Sequence, residues 1–469
     1  MHVLREPDFR RWFLARSVSY AGTAATAVAL PLLAYQKTGS AALTGAIAAL
    51  EAVPYLLFGL LAGAVADRLP RLRLMVGAEV SAVALVVSVP LAHLAGVLTT
   101  PHVLATAFAI GTAFVWFDAA AWGALARVAG RDRLTQANGL IWATATVVGI
   151  AAPAAAGLVA SLSDPTVVLA ADALTYAVSI LLVRRIATPL DAARPGAATS
   201  VRRDIAAGLT YLWRQPVIRA LSLAGFGLST TAGGVVGLLV VHADQQLHIG
   251  SADRRIGLLY SAAALGALVS ALLLPAMTRV LGVRRLSVTG YLTYLAALVA
   301  LAVDTNVGLA LLLWAVFDFA SATAITNGIT VRQQLTPDDL QGRVNTTGRM
   351  IAWGGTPFGA LLGGLLADAY GVRVAYLALG VPLCVALVVL VLSPLGQRAE
   401  VEGVPGQVGG AGRPPEEVAA AGHRDRVGGD GDLGAGGEVV ERERAARPGA
   451  GTERGQHLEA VEESHVGQG

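Results

Sequence analysis

Apolar runs in this chain have the length of a bilayer crossing, and they recur from near its start to about residue 395. A helix rises 1.5 Å per residue, so crossing a hydrocarbon core about 30 Å thick takes about 20 predominantly apolar residues. Residues 43–66, 74–97, 221–241, 288–303 and 372–392 are of that kind or close to it. Lipid offers the backbone no hydrogen bonds, which leaves helices or closed barrels as spanning structures. The runs lack the period-2 alternation of barrel strands, so helices are predicted. Reading the runs against their breakers places spans at 12–36, 41–66, 74–97, 101–126, 137–161 and 165–184. A second set falls at 216–241, 256–278, 286–303, 306–330, 344–367 and 372–395. Composition agrees: 14% of the residues are charged, where a soluble chain carries roughly 25%. The expectation is an all-α membrane protein of twelve transmembrane helices.

The formal net charge is +3, but the arginines punctuate the ends of apolar runs instead of sharing one face, so nucleic acid is not an expected partner. Basic residues in short loops set orientation. With the N-terminus inside, Arg5, Arg10, Arg11, Arg16, Arg68, Arg71, Arg73, Arg127, Arg131 and Arg133 fall on the cytoplasmic side. Arg279, Arg284, Arg285, Arg332 and Arg343 join them, and only Lys37, Arg254, Arg255 and Arg373 fall opposite. Both termini are then cytoplasmic, and the first apolar segment reads as an uncleaved helix of a multi-pass cell-membrane protein. The expected organisation is an N-terminal six-helix bundle (1–186), a cytoplasmic linker (187–215), a second six-helix bundle (216–395) and a disordered cytoplasmic tail (396–469). Ile205, Leu209 and Leu212 at helical spacing make the linker an amphipathic surface helix. The tail is too poor in apolar side chains to offset its ordering entropy. The single cysteine, Cys384, excludes an intrachain disulfide and reads as a small buried residue.

The two sets of six echo one another. Phe114-x-x-x-Asp118 in the fourth span matches Trp314-x-x-x-Asp318 in the tenth, each acid one turn beyond an aromatic. Asp132-Arg133-Leu134 and Asp338-Asp339-Leu340 follow, and then helices with a proline among small residues, Pro153 with Gly157 and Pro357 with Gly363 and Gly364. Six plus six helices around a polar middle is the build of a secondary transporter.

Lys37 is the only lysine and no glycine-rich loop precedes it, so the phosphate loop of a nucleotide-driven pump is absent. No metal or cofactor motif rises above background. Transport energy would then come from an ion gradient, with protons the first candidate. Ionised groups are costly in lipid and mark pathways or proton relays. Asp118 lies nine residues before Arg127, which puts it roughly 13 Å above the cytoplasmic edge. Asp118 and Asp318 are candidates for proton coupling or substrate charge, or for structural hydrogen bonding. Glu51 is a weaker coupling candidate. Glu79, near the cytoplasmic end of the third span, is a still weaker coupling candidate that could instead pair with loop arginines, and Asp172 is expected to be a structural hydrogen-bonder. Phe114, Asp118 and Trp122 form one stripe that suits a cationic amphipathic molecule, with packing as the alternative.

The sequence Gly63-Ala-Val-Ala-Asp67-Arg68-Leu-Pro70-Arg71-Leu72-Arg73, together with Phe9-Arg10-Arg11, Thr38-Gly39-Ser40, Leu134–Leu140 and Gln341–Asn345, resembles the major facilitator superfamily over about residues 8–395. The nearest branch is that of the macrolide-efflux and enterobactin exporters, which are proton-coupled. Pro70 stands where the family has a glycine. Gly149, Pro153 and Gly157 on helix five keep a reduced antiporter signature in which Ala152 replaces a glycine.

The resemblance implies that helices one, four, seven and ten line a central cavity. Tyr20, Thr23, Phe114, Trp122, Phe226, Ser229 and Trp314 would face it. It also implies a conformational latch made by Gly63, Asp67, Arg68 and Arg71, with Asp67 capping helix eleven. The expected activity is alternating-access export of small amphipathic molecules, such as a drug, macrolide, siderophore or secondary metabolite, by proton antiport. No enzyme activity and no cofactor are expected, and the transporter would act as a monomer. The alternatives are an importer of a small neutral solute and a non-transporting sensor or scaffold.

Overall fold

The computed structural model describes residues 3–66, 68–190, 209–251, 253–336 and 341–395. The expected surface helix before 209, Asp67 and the tail from 396 lie outside the described residues. Among the described residues there is no strand. Helix α1 is Pro7–Thr38, α2 Ala41–Ala66, α3 Arg71–Leu94, α4 Thr100–Ala129, α5 Leu134–Leu162 and α6 Pro165–Arg184. Helix α7, Pro216–Gly237, continues beyond Leu238 as Leu239–Gln245.

The next stretch, Arg255–Val303, has 49 residues, a length of about 73 Å that no single crossing needs. It breaks at Gly282, whose φ of 68 and ψ of 165 suit only glycine, into α8 (255–281) and α9 (283–303). Then follow α10, Val307–Gln334, α11 in two pieces, Gln341–Trp353 and Gly355–Tyr370, and α12, Val372–Leu392. Eleven described helices are long and apolar enough to span, and Arg255–Val303 spans twice, which gives the twelve expected.

Sequence chemistry sets the helix ends. Pro7 occupies the first turn of α1 with Asp8 beside it, Lys37 lies in the last turn, and Gly39 closes the helix at φ 65. Asp164 caps α6 by accepting from the Thr166 N–H at 2.8 Å. Asp253 accepts from the Arg255 N–H at 2.8 Å, just ahead of α8, and the Arg255 side chain holds its carboxyl below the usual carboxylate range.

Within the first half α1 packs on α5 and α6, and α3 and α4 pack on each other, α3 also meeting α6 and α4 meeting α2. In the second half α7 packs on α11 and α12, while the α8–α9 stretch packs on α10 and α12. Cys384 is exposed, contrary to the expected burial, because Leu379, Leu383, Ala386 and Leu390 form the core face of α12 and residue 384 lies off that stripe.

The halves meet where α2 crosses α11 and α5 crosses α8. Both crossings are backbone on backbone. A Cβ on Gly157 would lie 2.7 Å from the Gly257 Cα, and one on Gly364 would lie 2.8 Å from the Ala41 carbonyl oxygen. Both lie toward the side opposite the N-terminus, the far side. Asp368, near the end of α11, accepts from the Ala41 N–H at 2.7 Å and the Ser40 hydroxyl at 2.9 Å. A carboxylate from one half thus caps a helix of the other. The Tyr35 hydroxyl donates to Asp244 at 2.8 Å, and Gln36 donates to the Ser251 carbonyl at 2.9 Å. The far side is sealed by these contacts.

Replacing Gly257 by Val should push α5 and α8 apart. With Cys384→Ser as background and a cysteine at Thr356, an impermeant maleimide added from the far side should label the Gly257→Val protein several-fold faster than its Gly257 parent. Equal rates would mean that the crossing does not hold the seal.

Candidate functional site

Three cavities lie inside the halves and between them, all toward the N-terminal side of the seal. The largest, about 550 Å³, is lined from α1 by Phe13, Arg16, Ser17 and Tyr20, from α2 by Glu51 and Tyr55, and from α4 by Phe114, Asp118 and Trp122. Trp142 of α5 and Arg349, Trp353 and Thr356 of α11 complete its wall. A second cavity of about 290 Å³ is lined by Ser229, Tyr291, Asp318, Ser321 and Arg332 and shares Arg349, Trp353 and Thr356 with the first. A third, about 80 Å³, is lined by Ser19, Thr23, Glu79 and Tyr176 and shares Arg16, Tyr20 and Phe114 with the first.

The main cavity is organised by an ion pair. Arg16 Nη2 lies 2.8 Å from Asp118 Oδ1, with the two side chains 18% and 24% exposed. The guanidinium also stands 4.7 Å from the Trp122 ring centroid and 5.9 Å from that of Trp12, within cation–π range. Arg16 had been assigned to the cytoplasmic edge. Because α1 begins at Pro7, Arg16 is instead well inside the helix, on the stripe of Trp12 and Ser19. A second arginine reaches the interior: Arg349 lies 5.9 Å from the Tyr55 ring centroid on the wall between the two larger cavities. Arg332, in the last turn of α10 as the sequence places it, is 4% exposed and lines the second cavity.

Of the acids, Asp118 is the ion-paired one. Glu51 and Asp318 line the first and second cavities. Glu79 does not meet the loop arginines. It is 1% exposed, accepts from the Ser179 hydroxyl through Oε1, and leaves Oε2 without a hydrogen-bond partner. Asp172 is a structural hydrogen-bonder, taking the Thr26 hydroxyl at 2.5 Å and that of Thr175 at 3.0 Å.

Tyr20, Phe114 and Trp122 line the main cavity, Thr23 lines the smallest and shares a 2.9 Å hydrogen bond with Tyr176, and Ser229 lines the second. Trp314 lines none of these three cavities. It is fully buried against His242 and Phe317, so the symmetry of its motif with Phe114 does not extend to its surroundings. Phe226 likewise lies off the linings, tilted against Phe358 at 6.2 Å.

Arg71 is buried and donates to the carbonyls of Ala66, Gly123 and Leu190, tying α2, α4 and the segment after α6 together. Arg68 is exposed, and a Cβ on Gly63 would meet nothing within 4 Å. Gly149, Pro153 and Gly157 all face α8: a Cβ on Gly149 would lie 3.9 Å from that of Ala264, Gly257 packs on the Pro153 carbonyl and Gly157, and Ser261 donates to the Ile150 carbonyl at 2.6 Å.

This fold agrees with comparison to known proteins. The transmembrane secretion effector family matches residues 1–416. The chain belongs to the major facilitator superfamily. Membership makes it a multi-pass transporter of small molecules, not an enzyme. It is 29% identical over 384 residues to the multidrug efflux pump Tap of Mycolicibacterium fortuitum, covering 80% of this chain and 92% of that protein. It is 27% identical over 408 residues to Tap of Mycobacterium tuberculosis, covering 83% and 94%. Among solved structures it is similar to a bacterial homologue of the human lysosomal transporter Spinster, with a TM-score of 0.67, 16% identity and coverage of 82% and 97%. The nucleoside transporter NupG gives 0.69, 13%, 82% and 98%.

Removing one partner of the ion pair leaves the other charge unpaired in a low-dielectric wall. Asp118→Asn and Arg16→Gln should each destabilise the purified transporter by on the order of 2 kcal/mol, and the double variant should recover part of the loss. Thermal unfolding of all four proteins measures the coupling; additive losses would mean that the pair is not an energetic unit.

Proposed function

We propose that this transporter exports small amphipathic molecules, such as drugs, macrolides, siderophores or secondary metabolites, by alternating access in exchange for protons. The observation that carries the reading is the cavity of about 550 Å³, a size that suits a drug-like molecule. Aromatic rings make much of its wall, and its charged groups are the Arg16–Asp118 pair, Glu51 and Arg349, which suits broad recognition of apolar bodies with a polar or cationic end. The efflux pumps of similar sequence support outward transport. The far-side seal at Gly157–Gly257, Gly45–Gly364 and Asp368 fits the state that loads from inside, with both termini cytoplasmic in the cell membrane and one chain sufficient.

In this reading Asp118 takes the substrate's charge, while Asp318 and Glu51 put further carboxyl groups at the two lobes. Arg349, Trp353 and Thr356 join those lobes into one site across the halves. The loop from Gly63 through Asp67 and Arg68 to Arg71 would latch the N-terminal side in the opposite state.

Cells that express the protein should accumulate several-fold less ethidium and less erythromycin than cells without it, and a protonophore should remove the difference. Trp122→Ala should cut ethidium efflux about tenfold, the worth of one desolvated cation–π contact of roughly 1–2 kcal/mol. In proteoliposomes with an imposed pH gradient, Asp118→Asn should abolish driven transport of the dye, and Asp318→Asn should reduce it. Raised accumulation would make the protein an importer, and unchanged accumulation would make it a non-transporting member.

A further inference from the structure

Arg16 stands between two carboxyl groups. On one side it is bonded to Asp118 and lies over Trp122. On the other, across the cavity of about 80 Å³ that it helps to line, is Glu79, whose Oε2 is buried and unpartnered. Ser19, one turn after Arg16 on the same face of α1, lies close enough for its hydroxyl to reach the Glu79 carboxyl, alongside the bond from Ser179 to Oε1. A change of side-chain torsions along that face would therefore carry the guanidinium from Asp118 toward Glu79. The other groups around Glu79 are Tyr20 and Thr23 of α1, Phe114 and Phe117 of α4, and Tyr176 and Ser179 of α6. Asp172 of α6 is already held by Thr26 and Thr175. Arg16 is the only cation lining this small cavity among the described residues.

We propose that Arg16 is a two-position relay, paired with Asp118 while Glu79 holds a proton and paired with Glu79 while a cationic aromatic substrate sits between Asp118 and Trp122. This rests on the export reading and names both its substrate class and its coupling. With Glu79 protonated, Arg16 and Asp118 cancel, and the α1–α4 wall carries no net charge, with Glu51 and Arg349 on the α2 and α11 walls unchanged through the exchange. A substrate cation adds one positive charge, which a buried site cannot hold uncompensated. Glu79 then releases its proton to water on the N-terminal side, and the carboxylate formed receives Arg16. The added charge is thus offset, with one cation taken in and one proton given out. Reprotonation of Glu79 from the far side, once that side is open, frees Arg16 to retake Asp118 and expel the cation. A planar guanidinium suits both positions, since it can fork onto a carboxylate and stack on an indole. Arg16 is thus a built-in competitor for the place a substrate cation must take.

The test uses the purified full-length protein and tetraphenylphosphonium, a permanently charged aromatic cation. Its affinity is measured calorimetrically at pH 6 and pH 8, and proton release is followed with an indicator dye in weak buffer. Proton loss is favoured as pH rises, so wild type should bind tenfold or more tightly at pH 8 and release about one proton per cation bound. Glu79→Gln, which can neither release a proton nor receive Arg16, should bind weakly and equally at both pH values with no release. Glu79→Asp should keep the pH dependence and the release, which shows that the fold tolerates the position. Arg16→Gln should bind more tightly than wild type at pH 6, because the competitor is gone. A Glu79→Gln protein that elutes like wild type and keeps the wild-type pH dependence and release would overturn the proposal. So would weaker binding by Arg16→Gln at pH 6, or no binding of the probe to wild type. None of these results bears on the export reading, which falls only if drug accumulation in cells is unchanged or raised.

Discussion

A charge inside a membrane needs a partner, and in this transporter the Arg16–Asp118 pair meets that need at the wall of the main cavity. Much else around it follows. Asp118 comes from α4 and Arg16 from α1, so the pair fixes two cavity-lining helices against each other. The guanidinium lies on Trp122, which keeps that ring at the cavity surface instead of in the core. Each group alone would be costly inside the membrane, whereas together their charges cancel. The pair also offers a carboxylate and an aromatic face to any cation able to displace the arginine.

The two halves handle polarity differently. In the first, charge is concentrated at Arg16, Asp118, Glu51 and Glu79 around two joined cavities. In the second, Asp318 lines the smaller lobe with Arg332 and Arg349. The halves are held together on the far side by small residues and a few directed hydrogen bonds. Gly157 on Gly257 and Gly45 on Gly364 allow backbones to touch, which gives close packing at the two crossings. Asp368 reaches from α11 to cap α2, whereas α8 has Asp253 in its own chain segment just ahead of it. Buried apolar side chains of both halves, among them Leu30 and Leu33 of α1 and Leu238 to Val241 after α7, join one cluster on this side, so opening it would part that packing as well.

The spans were legible because bilayer thickness imposes a length that apolar runs report directly, and even the turn between α8 and α9 was marked by Arg279, Arg284 and Arg285. The mid-membrane acids were legible because a carboxylate in an apolar run has few innocent explanations. Arg16 was not, because an arginine near a chain start counts as a topology signal unless the helix is known to begin at Pro7. Its spacing from Trp12 and Ser19 was the available clue. The repeat placed Asp318 opposite Asp118 but misled over Trp314, since matched motifs fix backbone position and not the neighbours a ring meets; here His242 and Phe317 bury it. Burial of Glu79 against Ser179 is a contact between α3 and α6, 100 residues apart in the chain, and no local pattern announces it.

In the proposed cycle a cationic aromatic molecule is carried in the main cavity, charge on Asp118 and ring against Trp122, in the place Arg16 otherwise fills. A structure of the wild-type protein in lipid nanodiscs at pH 8 with tetraphenylphosphonium tests this most directly. The expected density has the phosphonium beside the Asp118 carboxylate, a phenyl ring on the Trp122 indole, and the Arg16 guanidinium turned toward Glu79. Arg16 still bonded to Asp118, with the cation bound elsewhere, would contradict it.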